Sequence, residues 1–173
     1  LPVNRAYLQQ WLEGRAQPFS WREYFQVVSS FDGRADSVTL EKKLRDTIRS
    51  IVPIDILGNG FLPGSVPVLH DAVSSSFCAE SICSDRAMFD HALDSITGHV
   101  KTGGLLIMLL IRDAPFYHAG DNCFPAFPVN ETLLTDVLAA RNYSILRMTA
   151  VDAEPGRDYS GLIFCGAQHN EKP

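Results

Sequence analysis

Residues 71–111 read DAVSSSFCAESICSDRAMFDHALDSITGHVKTGGLLIMLLI, and this stretch decides the fold. Residues 71–77 are small and apolar, which predicts a strand, and residues 84–100 carry apolar side chains at helical spacing. The TGG of residues 102–104 predicts a turn, and residues 105–111 predict a strand that is apolar on both faces. Such a strand lies inside a sheet covered by helices, so the pattern predicts an α/β layered domain with a parallel sheet.

The segments before this stretch predict two helices and a strand. Residues 5–14 and residues 36–51 both have apolar side chains at helical spacing. Residues 51–57 are short and apolar, which predicts a strand. Residues 17–33 are rich in aromatics and contain proline and glycine, so they predict a strand or a loop excursion.

The segments after it predict one more helix and two strands. Residues 112–129 predict a long irregular segment, because aromatics and prolines recur there without a period. Residues 130–140 predict a helix with Asn130 as its N-cap. The pattern predicts two further strands, at residues 143–151 and 160–167. Because no helix is predicted between them, we expect an antiparallel pair at the sheet edge.

Composition limits the class of protein and of partner. The 173 residues are 46% hydrophobic and 20% charged, which is typical of one globular domain with a real core. A net charge of -5 and the absence of a long Lys/Arg run argue against nucleic acid and membrane surfaces, so a small molecule or a protein is the expected partner. No targeting segment or membrane span is expected. The four cysteines lack CxxC pairs, which favours free thiols in a cytoplasmic protein, and the histidine spacing argues against a metal site.

Three carboxylates fall where predicted strands end, namely Asp55, Glu80 and Asp113. Ligands of open parallel sheets bind at the carboxyl ends of the strands, so these side chains are expected to rim one cleft. Aromatic rings nearby would suit a flat or cationic substrate, the rings being Phe116, Tyr117, Phe124 and Phe127. The alternative is that Asp55 and Asp113 are solvated turn residues and that Glu80 caps the following helix.

A family resemblance lies in residues 73–108, VSSSFCAESICSDRAMFDHALDSITGHVKTGGLLIM, and in residues 116–129, FYHAGDNCFPAFPV. These segments resemble the S-adenosylmethionine-dependent small-amine N-methyltransferases, the family of nicotinamide, phenylethanolamine and indolethylamine N-methyltransferases. NRAYLQQWL at the start looks like the family's helix after its second strand, VPIDIL looks like its third strand and SGLIFCGA its last.

The resemblance implies a Rossmann-like class I methyltransferase sheet of strand order 3-2-1-4-5-7-6 with an antiparallel final strand. Residues 1–173 would be the C-terminal part of that domain, without the first two strands, the glycine-rich cofactor loop and the N-terminal lid. The strand at residues 51–57 would then have no neighbour, and the strand at residues 71–77 would have an open edge.

The resemblance also implies roles for individual residues. On the side of the S-adenosyl-L-methionine cofactor it assigns a ribose contact, a pair at the adenine and a pocket-lining residue, namely Asn4, Asp55 with Ile56, and Ser76. On the acceptor side it assigns Glu80 and Asp113 as catalytic carboxylates. The residues assigned to substrate binding are Phe77, Tyr117 and Ala126.

These residues suit three functions to different degrees. The first is an S-adenosylmethionine-dependent N-methyltransferase acting on a small amine or a heteroaromatic nitrogen. The alternative is a non-catalytic methyltransferase-like module that acts by protein association through the open sheet edge. A dinucleotide-dependent oxidoreductase ranks last, because SSSFCAES and the position of Asp55 do not suit it.

Overall fold

A computed structural model describes residues 2–15, 20–33, 35–58 and 68–171. The chain divides into two compact units, Leu1–Pro53 and Ile54–Pro173. The described part of the first unit is helical, with α1 (Pro2–Leu12), α2 (Arg22–Asp32) and α3 (Ser37–Thr47). The helices predicted near residues 5–14 and 36–51 are therefore confirmed.

Side-chain contacts explain how this first unit is organised. Asp36 caps α3, because its Oδ1 accepts hydrogen bonds from the backbone N–H groups of Val38 and Thr39. The Trp11 Nε1–H of α1 donates to Glu41 Oε1 of α3 at 3.1 Å, and the Trp11 ring stacks on Phe25 of α2 at 6.5 Å between centroids. Trp11 therefore connects all three helices.

The prediction of a strand or loop for residues 17–33 is wrong for α2. Tyr24, Val27, Val28 and Phe31 recur at intervals of three and four residues, which is the helical period. Gly33 ends the helix with a φ of 63°, and its N–H donates to the Ser29 carbonyl. The aromatic content of the segment obscured this period.

The second unit contains a four-stranded sheet, two α-helices, a short 3-10 helix and a separate hairpin. In chain order these are β1 (His70–Ser76), the 3-10 helix (Glu80–Ile82), α4 (Arg86–Thr97), β2 (Val100–Arg112), β3 (Phe116–Ala119), β4 (Asn122–Pro125), α5 (Glu131–Ala139), β5 (Tyr143–Asp152) and β6 (Gly161–His169). The sheet order is β1-β2-β6-β5, in which β1 and β2 run parallel and β6 runs antiparallel to both of its neighbours.

This sheet confirms the predicted α/β class, the parallel pair and the antiparallel last pair. The described strands do not include the expected third strand, so the full order 3-2-1-4-5-7-6 stays a prediction. The strand expected at residues 51–57 is wrong, since the described residues contain no strand there. A strand needs a partner for its backbone N–H and C=O groups, and none of the described residues pairs with this segment.

The irregular segment predicted at residues 112–129 is also corrected, because β3 and β4 form a hairpin there. Phe116 pairs with Pro125 and Ala119 with Asn122, so Gly120 and Asp121 form a two-residue turn. Gly120 has a φ of 61°, the left-handed conformation that such turns require. The Gly-Asp pair was the signal for this hairpin.

The turn predicted at residues 102–104 is instead a bulge inside β2. His70 pairs with Val100, but Ala72 pairs with Leu105, so β2 carries extra residues at this point. Gly103 has a φ of 77°, and a Cβ on Gly104 would lie 2.8 Å from the Lys101 carbonyl oxygen. Glycine is required at both positions.

The core lies between one face of the sheet and helices α4 and α5. Leu106, Met108 and Leu110 of β2 point to this side and are fully or almost fully buried together with Phe89 and Leu93 of α4 and Leu134 and Leu138 of α5. On the other face, Leu105 and Ile107 are 39% and 38% exposed. The expectation that helices cover both faces of this strand is therefore wrong for the described residues.

Candidate active site

Glu80 lies in the 3-10 helix that follows β1, and its carboxyl group is buried. Its exposed fraction is 0%, and its Oε1 accepts a hydrogen bond from the Ile111 N–H near the end of β2 at 3.0 Å. The second oxygen, Oε2, is sealed from solvent and has no hydrogen-bond partner among the described residues. A buried polar atom without a partner is unusual in folded proteins, which makes Glu80 a candidate functional residue.

Burial raises the pKa of the Glu80 carboxyl, and the hydrogen bond from Ile111 only partly opposes this. Between the ordinary pKa of a carboxyl and this raised value, the folded state binds more protons than the unfolded state. We therefore expect the free energy of unfolding to fall as pH rises through that window. Glu80→Gln should lack this pH-dependent contribution to the free energy of unfolding. Chemical denaturation at several pH values should therefore show wild type losing stability relative to the variant as pH rises. A constant difference between the two proteins would contradict the burial of an ionisable group here.

Asp113 directly follows β2 and is exposed. Its φ is 54°, in the left-handed region, and its N–H donates to the Val129 carbonyl at 2.9 Å. Its Oδ2 accepts a hydrogen bond from the Ser160 hydroxyl at 2.8 Å. Because β1 and β2 are parallel neighbours, Asp113 and Glu80 belong to the same carboxyl end of the sheet.

The three residues predicted to bind substrate lie around this end of the sheet. Tyr117 of β3 stacks on Phe124 of β4 at 5.4 Å between centroids. Phe77 follows β1 with a φ of 50° and is 41% exposed, while its N–H donates to the Leu109 carbonyl. Ala126 is buried, and its N–H donates to the Pro115 carbonyl.

A cleft of about 560 Å³ runs along the open edge of β1. Two of the four residues predicted to contact cofactor, Ile56 and Ser76, line it, and the remaining lining residues are Ile54, His70, Ala72, Val73, Ser74, Ser75, Cys78, Ile96 and His99. The Ser95 hydroxyl holds Ile56 in the wall of this cleft by donating to the Ile56 carbonyl at 2.9 Å. Its size lies in the range of small-molecule sites.

The other two residues of that set are placed differently. Asp55 is exposed in a turn, where its Oδ1 accepts from the N–H groups of Leu57 and Gly58 at 3.2 and 3.1 Å. Asn4 falls in α1, but its side chain lies outside the described part of the structure. The cofactor contacts of all four residues stay predictions.

The prediction that Asp55, Glu80 and Asp113 rim one cleft is not supported. Asp55 ends no strand, Glu80 is fully buried, and none of the three carboxylates lines the cleft beside β1. Asp55 and Asp113 match the alternative of turn residues at the surface. Sequence reasoning also missed Ser160 and Arg112, whose contacts join segments 48 residues apart.

The described residues give little support to other kinds of site. They bring no three His, Cys, Asp or Glu side chains together in the way that a metal ion requires. Burial raises the pKa of the Cys83 thiol to about 11, which does not suit a cysteine nucleophile. Within the same ranges, no helix has the length and apolar character needed to cross a bilayer.

Comparison with known sequences supplies the family. The sequence model of the NNMT/PNMT/TEMT family matches residues 1–169. The chain belongs to this family. Phenylethanolamine N-methyltransferase of Sus scrofa is 34% identical to this chain over 179 residues, which cover 97% of this chain and 62% of the relative. Nicotinamide N-methyltransferase of Homo sapiens is 25% identical to this chain over 144 residues, which cover 82% of this chain and 54% of the relative.

This NNMT/PNMT/TEMT family chain thus spans less than two thirds of the length of the curated relatives it matches. Among solved structures, N-methyltransferase NodS from Bradyrhizobium japonicum WM9 in complex with S-adenosyl-L-homocysteine matches with a TM-score of 0.53 and 14% identity. The match covers 78% of this chain and 62% of NodS. At that identity the likeness shows the fold alone, which is the predicted class I methyltransferase fold.

Proposed function

We propose that the protein carrying this chain transfers a methyl group from S-adenosyl-L-methionine to the nitrogen of a small amine or a heteroaromatic ring. The observation that carries this proposal is the buried Oε2 of Glu80, which has no partner among the described residues. An ammonium or amine N–H would satisfy that oxygen and offset the desolvation of the carboxylate. The names of the relatives, phenylethanolamine and nicotinamide N-methyltransferase, support an acceptor of this class.

The chemistry that the cofactor supplies when bound is an electrophilic methyl group on a positively charged sulfur. An amine attacks such a group in line, so the chain's main task is to place the nitrogen. Glu80 would hold and orient the amine through Oε2, while its Oε1 stays bonded to the Ile111 N–H at 3.0 Å. The hydrogen bond from Ile111 to Oε1 fixes the plane of the carboxyl group. Because Oε2 is sealed, binding of an amine there requires the segments around it to move.

In the expected order 3-2-1-4-5-7-6 the family's first strand would pair with the open edge of β1, so the part of the cleft that remains for the cofactor's adenosyl group is at the carboxyl end of β1, beside Ile56 and Ser76. Ile56 offers an apolar wall for the adenine, and Ser76, exposed on β1, offers a hydroxyl to polar atoms. Asp55 uses Oδ1 for its own turn, and no hydrogen bond from the described residues reaches Oδ2, which would accept the exocyclic amine. We assign Ile56 and Ser76 to the cofactor on these grounds, and Asp55 and Asn4 on the resemblance.

The acceptor side combines a carboxylate with aromatic rings. The stacked pair of Tyr117 and Phe124 offers a ring face to an aromatic or cationic acceptor. Asp113 lies at the same end of the sheet and would assist by taking a proton from the attacking amine. Phe77 and Ala126 complete the set of residues assigned to this side.

Isothermal titration with S-adenosylhomocysteine tests the proposal, using the 173-residue chain and a protein extended to the full length of the relatives. We expect the extended protein to bind, and Ser76→Trp, which places a large ring at the carboxyl end of β1, to raise Kd by at least about tenfold, or about 1.4 kcal/mol. Ser144→Trp at an exposed position of β5 is the matched control. Binding that is unaffected by Ser76→Trp would contradict the assignment of the cleft.

A second candidate function is association without catalysis. Among the described residues β1 pairs with β2 alone, so one row of its backbone N–H and C=O groups is open to another strand. The absence of cofactor binding by both proteins in the titration, together with concentration-dependent association of the chain, would favour this function over methyl transfer.

We place the protein in a reducing compartment such as the cytoplasm as part of this proposal. All four cysteines are free, and two of them, Cys83 and Cys165, are buried in the core. Secreted proteins more often pair their cysteines. Nothing in the composition favours a nucleic acid or a membrane as a partner, so a small-molecule amine is the proposed one.

A further inference from the structure

Arg112 connects three segments at the end of β2. Its side chain is 17% exposed, and its guanidinium forms ion pairs with Glu131 at the start of α5 and with Asp152 at the end of β5. Its Nε–H donates to the Ser160 hydroxyl oxygen at 2.9 Å, and its Nη2–H donates to the Ser160 carbonyl at 2.9 Å. The Arg112 guanidinium therefore binds both the side chain and the backbone of Ser160.

The hydroxyl hydrogen of Ser160 has two acceptors within reach, and their distances differ. Asp113 Oδ2 lies 2.8 Å from Ser160 Oγ, whereas the Arg112 carbonyl oxygen lies 3.3 Å away. The shorter contact to a charged acceptor is the stronger bond. Since the Arg112 Nε–H already uses a lone pair of the hydroxyl oxygen, the hydroxyl hydrogen is directed to Asp113.

The backbone of Ser160 does not depend on this contact. Its N–H donates to the Arg112 carbonyl, and its own carbonyl accepts from the Ala153 N–H, both at 3.0 Å. The loop between β5 and β6 is thus closed by main-chain hydrogen bonds. The bond from the hydroxyl to Asp113 is not needed to hold that loop, which leaves the orientation of the Asp113 carboxylate as its main effect.

Asp113 itself requires such support. A φ of 54° is unfavourable for a residue with a side chain, and such strain persists where the surroundings fix it. The N–H of Asp113 is held by the Val129 carbonyl, and Oδ2 is held by Ser160. Oδ1 accepts no hydrogen bond from the described residues, so it is the oxygen that remains for a ligand.

We propose that Ser160 is a positioning residue, which fixes the Asp113 carboxylate through Oδ2 and leaves Oδ1 for the acceptor amine, and that Arg112 orients the Ser160 hydroxyl for this purpose. Only the identity of the ligand, the acceptor amine, rests on the proposed function. Ser160 touches no reacting atom, and its effect passes entirely through Asp113.

The first test measures the Asp113 side chain by NMR, through its three-bond Hα–Hβ couplings, and requires no activity. We expect one χ1 rotamer in wild type, averaging in Ser160→Ala, and a return to one rotamer in Ser160→Thr, which restores the hydroxyl. Ser144→Ala is the matched control, at an exposed serine of β5. One rotamer retained in Ser160→Ala, or averaging already in wild type, would overturn the proposal.

The second test is a double-mutant cycle on methyl transfer by the full-length protein. We expect Ser160→Ala to lower kcat/KM for the amine about fivefold to tenfold, and to have no further effect on Asp113→Asn. Equal effects in both backgrounds would overturn the role through Asp113. If wild type transfers no methyl group, the proposed function fails while the rotamer measurement still decides the positioning.

Discussion

Replacing Glu80 with Gln lowers kcat/KM for methyl transfer to the amine by at least about tenfold, equivalent to about 1.4 kcal/mol of transition-state stabilisation. The amide keeps the size of the side chain and an oxygen to accept from the Ile111 N–H, so the fold is retained. It removes the negative charge and places an N–H₂ group where the amine would bind. The measurement is steady-state transfer from labelled S-adenosylmethionine by the full-length protein.

Two controls separate this effect from damage to the protein. Glu23→Gln makes the same change at an exposed position of α2 and should leave transfer unchanged. The affinity of Glu80→Gln for S-adenosylhomocysteine should stay within about twofold of wild type, because Glu80 is assigned to the acceptor side. Unchanged transfer by a folded Glu80→Gln variant would remove Glu80 from the mechanism.

Replacing Phe89 with Ala lowers the free energy of unfolding by about 3–5 kcal/mol. Phe89 of α4 is 0% exposed, and its ring packs on Phe127 at 5.0 Å between centroids. Phe127 follows the hairpin, and its N–H donates to the Glu80 carbonyl, so the ring contact also supports the segment beside the candidate site. Chemical denaturation of the full-length protein measures the effect.

Phe31→Ala is the matched control for this change, since Phe31 of α2 is 86% exposed. We expect its effect to stay within about 0.5 kcal/mol. A loss below about 1 kcal/mol in Phe89→Ala would show that the packing of α4 on the sheet is not the core described here.

The strand–helix–strand unit of residues 71–111 could be predicted because its signals are local. Apolar spacing within α4 and the apolar run of β2 each depend on a few neighbouring residues. The segment at residues 51–57 has the same local signal, yet it forms no strand. A strand depends on a partner elsewhere in the chain, which a local pattern does not show.

The candidate site was predictable in part. The position of Glu80 after a strand singled it out, but its burial and its bond to Ile111, 31 residues away, follow from the packing of β1 beside β2. The three-carboxylate cleft was wrong because it depended on the missing strand before Asp55. The family prediction was confirmed independently, since it rested on residues 73–108 and 116–129 and not on that geometry.

The most direct measurement is a crystal structure of the full-length protein with S-adenosylhomocysteine and an arylethylamine bound. We predict the amine nitrogen within about 3.2 Å of Glu80 Oε2, and the adenosyl group beside Ile56 and Ser76 at the carboxyl end of β1. An amine bound elsewhere, with Glu80 Oε2 still sealed and without a partner, would contradict it.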